Sequence, residues 1–175
     1  MLNEPLLQWH IDRITTPLGV MLLVTDAQNT LRALDWADSE ARMLDRLRLL
    51  YGSDGVTLTS GTAPQPVRNG LEAYWAGDLN AVSAIPVETA GTEFQQAAWA
   101  WLRSIPTGET RSYQEQAKGM DRASAVRAVG RANGANPIGI VIPCHRVIGA
   151  NGTLTGYAGG IERKRWLLRH EGGDF

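Results

Sequence analysis

Ile138-Gly139-Ile140-Val141-Ile142-Pro143-Cys144-His145-Arg146 is the stretch of this chain from which its fold and chemistry are best predicted. The run 138–142 is apolar and largely β-branched, which predicts a buried strand. Pro143 ends that strand because proline has no N–H for a ladder hydrogen bond. Cys144 is the only cysteine, so it cannot form a disulfide within the chain. A free cysteine is often only a small buried apolar side chain, but beside His145 at the mouth of a core it is a candidate nucleophile.

Two capping boxes upstream of this stretch mark the starts of helices. Residues 92–95 and 112–115 each place a hydroxyl three residues before a Gln or Glu, the pattern that satisfies two N-terminal amides reciprocally. Gly119 and Asp121 then predict a tight turn into a helix over 123–133. Two short helices joined by such a turn form a helix-turn-helix, although similar pairs also occur in ordinary protein cores.

The predicted second helix of this pair is rich in small residues, including Ser124 and Ala128. Small side chains let a helix approach a nucleic-acid groove closely. Arg127 is then the long cation on that surface, and Arg122 and Arg131 flank it, where they can meet phosphates. The alternative is an alanine-rich helix packed tightly on its neighbour, with solvated arginines.

The first half of the chain predicts a small antiparallel sheet with helices. Strand-like runs at 6–14, 20–25 and 30–36 are separated by turn signals. Helices are predicted over 39–50 and 67–75. The apolar face of the first of these helices is expected to carry Ala41, Leu44, Leu47 and Leu50.

Charge is distributed unevenly along the chain. Residues 1–91 carry 6 Lys+Arg against 11 Asp+Glu, whereas 92–175 carry 11 against 7. The resulting net charges of −5 and +4 favour a polyanion as the partner of the second half, although scatter of surface charge explains the counts equally well. We expect an N-terminal α/β domain over 1–88 and a C-terminal domain over 89–175 that carries the basic excess and Cys144.

Composition excludes several classes of protein. The hydrophobic fraction of 43% is enough for a real core. No apolar run approaches the length of a membrane span, and no signal peptide is recognisable. An unpaired cysteine fits a reducing compartment, so we expect a cytoplasmic protein that does not bind membranes. One cysteine and three histidines make a metal site implausible, and no cofactor is expected.

Five motifs of the second half occur in a characteristic order. They are Arg127-Ala128-Val129-Gly130, Asn136-Pro137, Pro143-Cys144-His145-Arg146-Val147-Ile148, Gly156-Tyr157-Ala158-Gly159-Gly160 and Trp166-Leu167-Leu168-Arg169-His170-Glu171-Gly172. As a set they resemble the O6-alkylguanine-DNA alkyltransferases in their stand-alone bacterial form, over about residues 92–175. The first half is a weaker match. The resemblance implies an α/β (α+β) fold, with a ribonuclease H-like N-terminal domain and a mainly helical C-terminal domain carrying a winged helix-turn-helix.

The resemblance also implies a reaction. The family repairs DNA by irreversible, single-turnover transfer of an alkyl group from O6-alkylguanine, with O4-alkylthymine as a second candidate lesion, to a cysteine that matches Cys144. The implied relay runs from Cys144 through a water to His145 and Glu171, whose carboxylate orients the imidazole. Tyr113 matches the tyrosine that hydrogen-bonds a ring nitrogen of the base.

The implied base pocket consists of Asn136, Val147, Tyr157, Ala158 and Gly159. The carbonyls of Cys144 and Val147 would accept from the exocyclic amine of guanine, and the Ala158 amide would donate to O6. Asn136 is expected to tie the turn before the predicted strand to the loop after Cys144, since asparagine readily bonds nearby backbone. Many relatives have serine in place of Ala158, so any hydroxyl contribution is lost here.

Family precedent places the Arg127 helix in the minor groove of double-stranded DNA, where the arginine fills the space left by an extruded nucleotide. We expect the protein to act as a monomer. Three other functions fit part of the pattern. A lesion-binding protein would not need Cys144, a cysteine hydrolase would turn over repeatedly, and a transcription regulator with a helix-turn-helix would usually dimerise on two half-sites.

Overall fold

A four-stranded sheet opens the fold in this computed structural model, which describes residues 6–175. Residues 1–5 of the predicted first domain lie outside the described residues. The strands are β1 (Leu7–Thr16), β2 (Gly19–Thr25), β3 (Leu31–Trp36) and β4 (Val56–Ser60), in the spatial order β3-β2-β1-β4. The first three pair antiparallel, as predicted. β4 pairs parallel to β1, so the sheet is mixed and the purely antiparallel prediction is wrong. A parallel partner needs a long connection, here through a helix, and local turn signals do not reveal it.

Six α-helices lie within residues 6–175, together with a pair of two-residue strands. The helices are α1 (Glu40–Tyr51), α2 (Gln65–Trp75), α3 (Glu93–Leu102), α4 (Tyr113–Gly119), α5 (Val126–Gly134) and α6 (Ile161–His170). The short strands β5 (Arg111–Ser112) and β6 (Val147–Ile148) pair in parallel beside α4. The mixed α and β fold class is therefore confirmed.

The apolar face expected for α1 is partly wrong. Met43 and Leu47 are its buried residues, whereas Ala41 is exposed and Leu44 and Leu50 are half-buried. A 3₁₀ turn over Ala37–Ser39 precedes the helix. The i, i+4 pair of Met43 and Leu47 therefore packs on the sheet.

Both predicted capping boxes are present. The Thr92 hydroxyl accepts from the Gln95 amide, and the Ser112 hydroxyl accepts from the Glu115 amide, each at 3.1 Å. α5 begins three residues later than expected, at Val126. The reason is a turn in which the Ala125 amide donates to the Arg122 carbonyl at 2.8 Å. Ser124 therefore lies in the turn before α5 and is exposed.

The segment 138–142 is buried but is not a strand, which corrects the opening prediction. Only Ile138 makes a ladder contact, a bridge to Leu34 in β3. The chain then turns, with Ile140 at φ 68° and the Ile142 amide donating to the Ile138 carbonyl at 3.0 Å. The Asn136 side chain closes this turn from both ends: its Oδ1 accepts from the Ile138 amide at 3.0 Å and its Nδ2 donates to the Ile142 carbonyl at 2.8 Å.

One core of buried side chains continues across the two halves of the chain. Met21 and Leu34 of the sheet belong to the same cluster as Ile138, Val147 and Leu167. The turn that carries Cys144 is thus anchored on the N-terminal sheet. Among residues 6–175, no helix is both long and apolar enough to cross a membrane.

Candidate active site

Cys144 begins a 3₁₀ turn that ends at Arg146. The extended backbone expected at this position is replaced by this turn because the tight loop over 138–142 leads directly into it, with the Cys144 amide donating to the Ile142 carbonyl at 2.8 Å. The thiol is half-buried. The chain thus presents its cysteine from a tight turn that backbone hydrogen bonds hold.

Cys144 contributes to the wall of a cavity of about 640 Å³, which is within the size range of small-molecule pockets. The α5 side of this cavity includes Arg127 and Gly130, and Tyr113 lies at the start of α4. The loop from 155 to 158 forms another part of the wall. The remaining lining residues are Val126, Asn133, Gly134, Thr155, Gly156, Tyr157 and Ala158. The structure therefore brings Cys144, Tyr113, Arg127, Tyr157 and Ala158 to one cavity.

His145 and Glu171 form a buried pair behind this cavity. His145 Nε2 lies 2.8 Å from Glu171 Oε2, and the two side chains are 0% and 1% exposed. Glu171 immediately follows α6, whose last residues carry it to the turn that begins at Cys144. Two of the three residues of the predicted relay are thus in direct contact across 26 positions of sequence.

Glu171 accepts hydrogen bonds from three side chains. Arg146 donates to Oε1 through Nε at 2.8 Å and to Oε2 through a terminal nitrogen at 3.1 Å. The Tyr74 hydroxyl donates to Oε2 at 2.7 Å. Burial acts to raise the pKa of the Glu171 carboxyl, but His145 and Arg146 outweigh burial and hold that pKa well below its usual range. The carboxylate is therefore ionised at neutral pH.

An ionised carboxylate can only accept hydrogen bonds, which determines the state of the histidine ring. Nε2 of His145 must donate to Glu171, so in the neutral ring Nδ1 carries the free lone pair. Within residues 6–175, Nδ1 is buried and has no hydrogen-bond partner. The hydrogen bond between Nε2 and Glu171 thus leaves Nδ1 of His145 available to act as a base.

Opposing effects act on the pKa of the Cys144 thiol. Burial, the largest of them, raises the pKa of Cys144, while a hydrogen bond from Asn136 and the charges of Lys164 and Arg46 lower it. Because burial prevails, the thiol is mostly protonated at neutral pH. A base such as His145 is therefore needed to generate the thiolate.

Lys164 is a site residue that the sequence reasoning missed. It lies on α6 with 0% exposure, and its Nζ donates to the carbonyls of Val147 and Thr155, each at 2.7 Å. Burial lowers its pKa to about 8. One feature of the sequence could have indicated this burial: the lysine lies between Gly160 and Leu167, at a position of α6 that faces the core. The Val147 carbonyl, expected to face a base, is already bonded to Lys164.

Two contacts from the N-terminal half hold the loop over 155–160. The Ala158 carbonyl accepts from Arg42 of α1, which also pairs with Asp35 at 2.7 Å. At Gly159 a Cβ atom would lie 2.8 Å from the Trp36 indole nitrogen. Only glycine allows this approach without a shift of the neighbours.

The remaining predicted DNA contacts do not line the cavity. Arg122, Ser124 and Arg131 are exposed, and Ala128 is half-buried on α5. With Arg127 they form one surface that runs from the turn before α5 to the last turn of that helix, which we name the α5 surface. Asn136 is buried, and its side chain bonds Ile138 and Ile142, which precede Cys144. The tie expected between Asn136 and the loop after Cys144 is therefore wrong, because the tight turn over 138–142 brings nearer backbone groups to this side chain.

Known proteins share this architecture and much of this sequence. Residues 93–173 match the family described as 6-O-methylguanine DNA methyltransferase, DNA binding domain. The chain is 48% identical over 161 residues to the methylated-DNA--protein-cysteine methyltransferase of Shigella flexneri, covering 92% of this chain and 94% of that protein. The protein of the same name from Salmonella typhimurium is 49% identical to this chain over 161 residues, with the same coverage of both proteins.

Solved structures agree with these sequence matches. The crystal structure of Mycobacterium tuberculosis OGT in complex with DNA superposes with a TM-score of 0.76 at 40% sequence identity, covering 93% of this chain and 92% of that one. Identity near one half over nearly the whole length of both Shigella and Salmonella relatives decides the assignment. The chain therefore belongs to the O6-methylguanine-DNA methyltransferase family.

Proposed function

We propose that this protein repairs O6-alkylguanine in double-stranded DNA by moving the alkyl group, typically methyl, onto its own Cys144. The observation that carries the proposal is the thiol of Cys144 on the wall of a base-sized cavity, adjacent to a histidine whose Nε2 is bound by Glu171. The methyltransferase names of the Shigella and Salmonella relatives agree with this activity.

The proposed chemistry is a displacement at a saturated carbon. His145 Nδ1 takes the thiol proton through a bridging water, and the Cys144 sulfur forms a bond to the methyl carbon as the bond from that carbon to O6 breaks. The electron pair of the broken bond stays with the base, which takes up one proton from solvent and leaves as guanine, while the thiol proton held by His145 is released to solvent. Tyr113 lies at the cavity and is positioned to donate to a ring nitrogen during this step. Nothing cleaves the resulting thioether, so each molecule acts once.

The lesion must leave the duplex to reach the sulfur, because a stacked base cannot present its O6 substituent to a thiol inside a cavity. We propose that the α5 surface binds the duplex and that Arg127 occupies the space of the extruded nucleotide. Arg127 supports this role because it both lies on the exposed side of α5 and lines the cavity. Arg122 and Arg131 are assigned to phosphates, and Ser124 and Ala128 to close approach.

The protein is further proposed to act as a monomer in the cytoplasm, with domains over 1–88 and 89–175. The continuous core means that these domains would pack firmly on one another. Tyr74 and Arg42 of the first domain contact Glu171 and Ala158 of the second. The first domain would therefore complete the site.

The proposal is tested by counting repaired lesions per protein molecule. A duplex with a single O6-methylguanine is mixed in molar excess with wild-type protein, and restored guanine is measured until the reaction stops. We expect one restored guanine per active protein, and none with Cys144→Ser, which should still bind the duplex. Repeated turnover would indicate a hydrolase, and binding without any restored guanine would indicate a lesion-binding protein.

Replacing Arg127 by alanine should impair repair of a duplex more than reaction with the free modified base. The arginine holds the extruded state and does not contact the alkyl group, so only the duplex reaction depends on it. Second-order transfer rates with both substrates provide the measurement. Arg48→Ala is the matched control, since Arg48 is an exposed arginine of α1 paired with Asp45. Equal losses on duplex and free base would contradict the assigned role of Arg127.

A further inference from the structure

Tyr74 is a fully buried residue of α2 that contacts the proposed relay from the N-terminal half. It is 0% exposed, and its hydroxyl donates to Glu171 Oε2 at 2.7 Å. That oxygen is the one that His145 Nε2 approaches at 2.8 Å. The tyrosine and the histidine therefore share a single carboxylate oxygen.

This shared acceptor couples the hydroxyl to the basicity of the histidine. A carboxylate stabilises an imidazolium ion through its negative charge, and each additional donor to the same oxygen disperses part of that charge. The Tyr74 hydroxyl is a neutral donor that cannot give up its proton at neutral pH, because burial raises the pKa of Tyr74 far above its usual range. It therefore weakens the attraction of Glu171 for a proton on His145.

The surroundings hold Tyr74 in one orientation. His170 Nε2 lies 2.7 Å from the Tyr74 carbonyl, and the two rings meet edge to face with centroids 5.0 Å apart. The Trp75 ring also meets the Tyr74 ring edge to face, with centroids 5.1 Å apart. The charged and titratable groups around the hydroxyl are His145, Arg146, Tyr157, His170 and Glu171. Only Glu171 accepts the hydroxyl proton.

We propose that Tyr74 is a positioning residue for the alkyl transfer: its hydroxyl holds Glu171 Oε2 in place and limits how strongly the carboxylate retains a proton on His145. This inference rests on the proposed transfer to Cys144. Its consequence is that the acid limb of the pH–rate profile of alkyl transfer lies at lower pH than it would without the Tyr74 hydroxyl. The N-terminal half thereby determines the lower end of the pH range of activity.

Tyr74→Phe tests the inference, because it removes the hydroxyl and keeps the ring. Transfer rates to wild type and variant are measured from acid to neutral pH on the O6-methylguanine duplex. The acid limb of the profile should move to higher pH by about 0.5 to 1 unit, the size expected when a neutral donor to a charged group is lost. Tyr51→Phe is the matched control, since the Tyr51 hydroxyl contacts Arg32 at 3.4 Å in a separate core cluster.

A second variant keeps the test valid if Tyr74→Phe does not fold. Incorporating 3-fluorotyrosine at position 74 retains the hydroxyl and makes it a stronger donor, so the acid limb should move to lower pH. Opposite shifts in the two variants would support the role of Tyr74. The proposed role of Tyr74 would be overturned if wild type transferred the methyl group but the acid limb did not move in the 3-fluorotyrosine protein. The same holds if the acid limb did not move in a folded Tyr74→Phe protein. Absence of transfer by wild type would instead overturn the proposed function.

Discussion

Replacing Glu171 by glutamine is expected to slow transfer at pH 7 by about 10² to 10⁴-fold, the usual contribution of a general base system. It should also lower the free energy of unfolding by about 3–5 kcal/mol, as when one partner of a buried ion pair is removed. Both effects follow from the position of Glu171, where one carboxylate accepts from His145, Arg146 and Tyr74. The glutamine amide group would place N–H donors against these donors and leave the Arg146 charge unpaired.

Two measurements separate the catalytic and structural effects of this change. The transfer rate of the folded variant should recover partly at alkaline pH, where the Cys144 thiol ionises without a base. Affinity for the duplex should stay nearly unchanged, because Glu171 lies away from the α5 surface. Glu162→Gln is the control, since Glu162 pairs with Arg165 on the solvent side of α6 and is 88% exposed. A pH–rate profile identical to that of wild type would remove Glu171 from the mechanism.

Replacing Lys164 by methionine should change how stability depends on pH. Burial lowers the pKa of Lys164 to about 8 in the folded protein, against a value near 10.5 for a free lysine. Below pH 8 the lysine is protonated in both states, so the folded state bears the full cost of a buried ammonium. Between pH 8 and 10.5 the folded state has lost this proton and the unfolded state still binds it, so this contribution increasingly favours folding, by about 3 kcal/mol in all.

The difference in unfolding free energy between wild type and Lys164→Met isolates this contribution. We expect wild type to gain stability relative to the variant as pH rises from 8 to 10.5, measured by denaturant unfolding at several pH values. The thiol of Cys144, whose pKa burial raises, acts in the opposite direction in both proteins, and more strongly in the variant, because the Lys164 charge that lowers the pKa of Cys144 is lost there. Lys118→Met, at the exposed lysine of α4, should show no such trend. A pH-independent difference for Lys164→Met would mean that the buried lysine titrates normally.

The second half of the fold was largely predictable because its signals are local. The capping boxes at Thr92 and Ser112 mark two helix starts through residues three positions apart, and both are present. The fold class followed from the same patterns and from the family resemblance. The prediction of a strand over 138–142 is wrong. The segment has the composition of a strand, but the side chain of Asn136, which lies outside the segment, holds it in a turn.

The candidate site was predictable only where the family motifs carry it. Cys144 and His145 are adjacent, but nothing local links them to Glu171, 26 positions after His145. Tyr74 was foreseen only as part of the helix over 67–75, because its partner lies 97 positions later. Lys164 was missed because a lysine on an amphipathic helix normally extends to solvent. Such contacts depend on tertiary packing and leave no periodic signal.

Transfer of the methyl group to Cys144 itself is the central claim, and mass spectrometry of the spent protein tests it most directly. Wild-type protein is incubated with excess duplex containing O6-methylguanine with an isotopically labelled methyl group, digested, and analysed peptide by peptide. The account predicts one labelled methyl group per chain, located on the peptide that contains Cys144 and on no other. A labelled methyl on another residue, or restored guanine with no label on the protein, would contradict it.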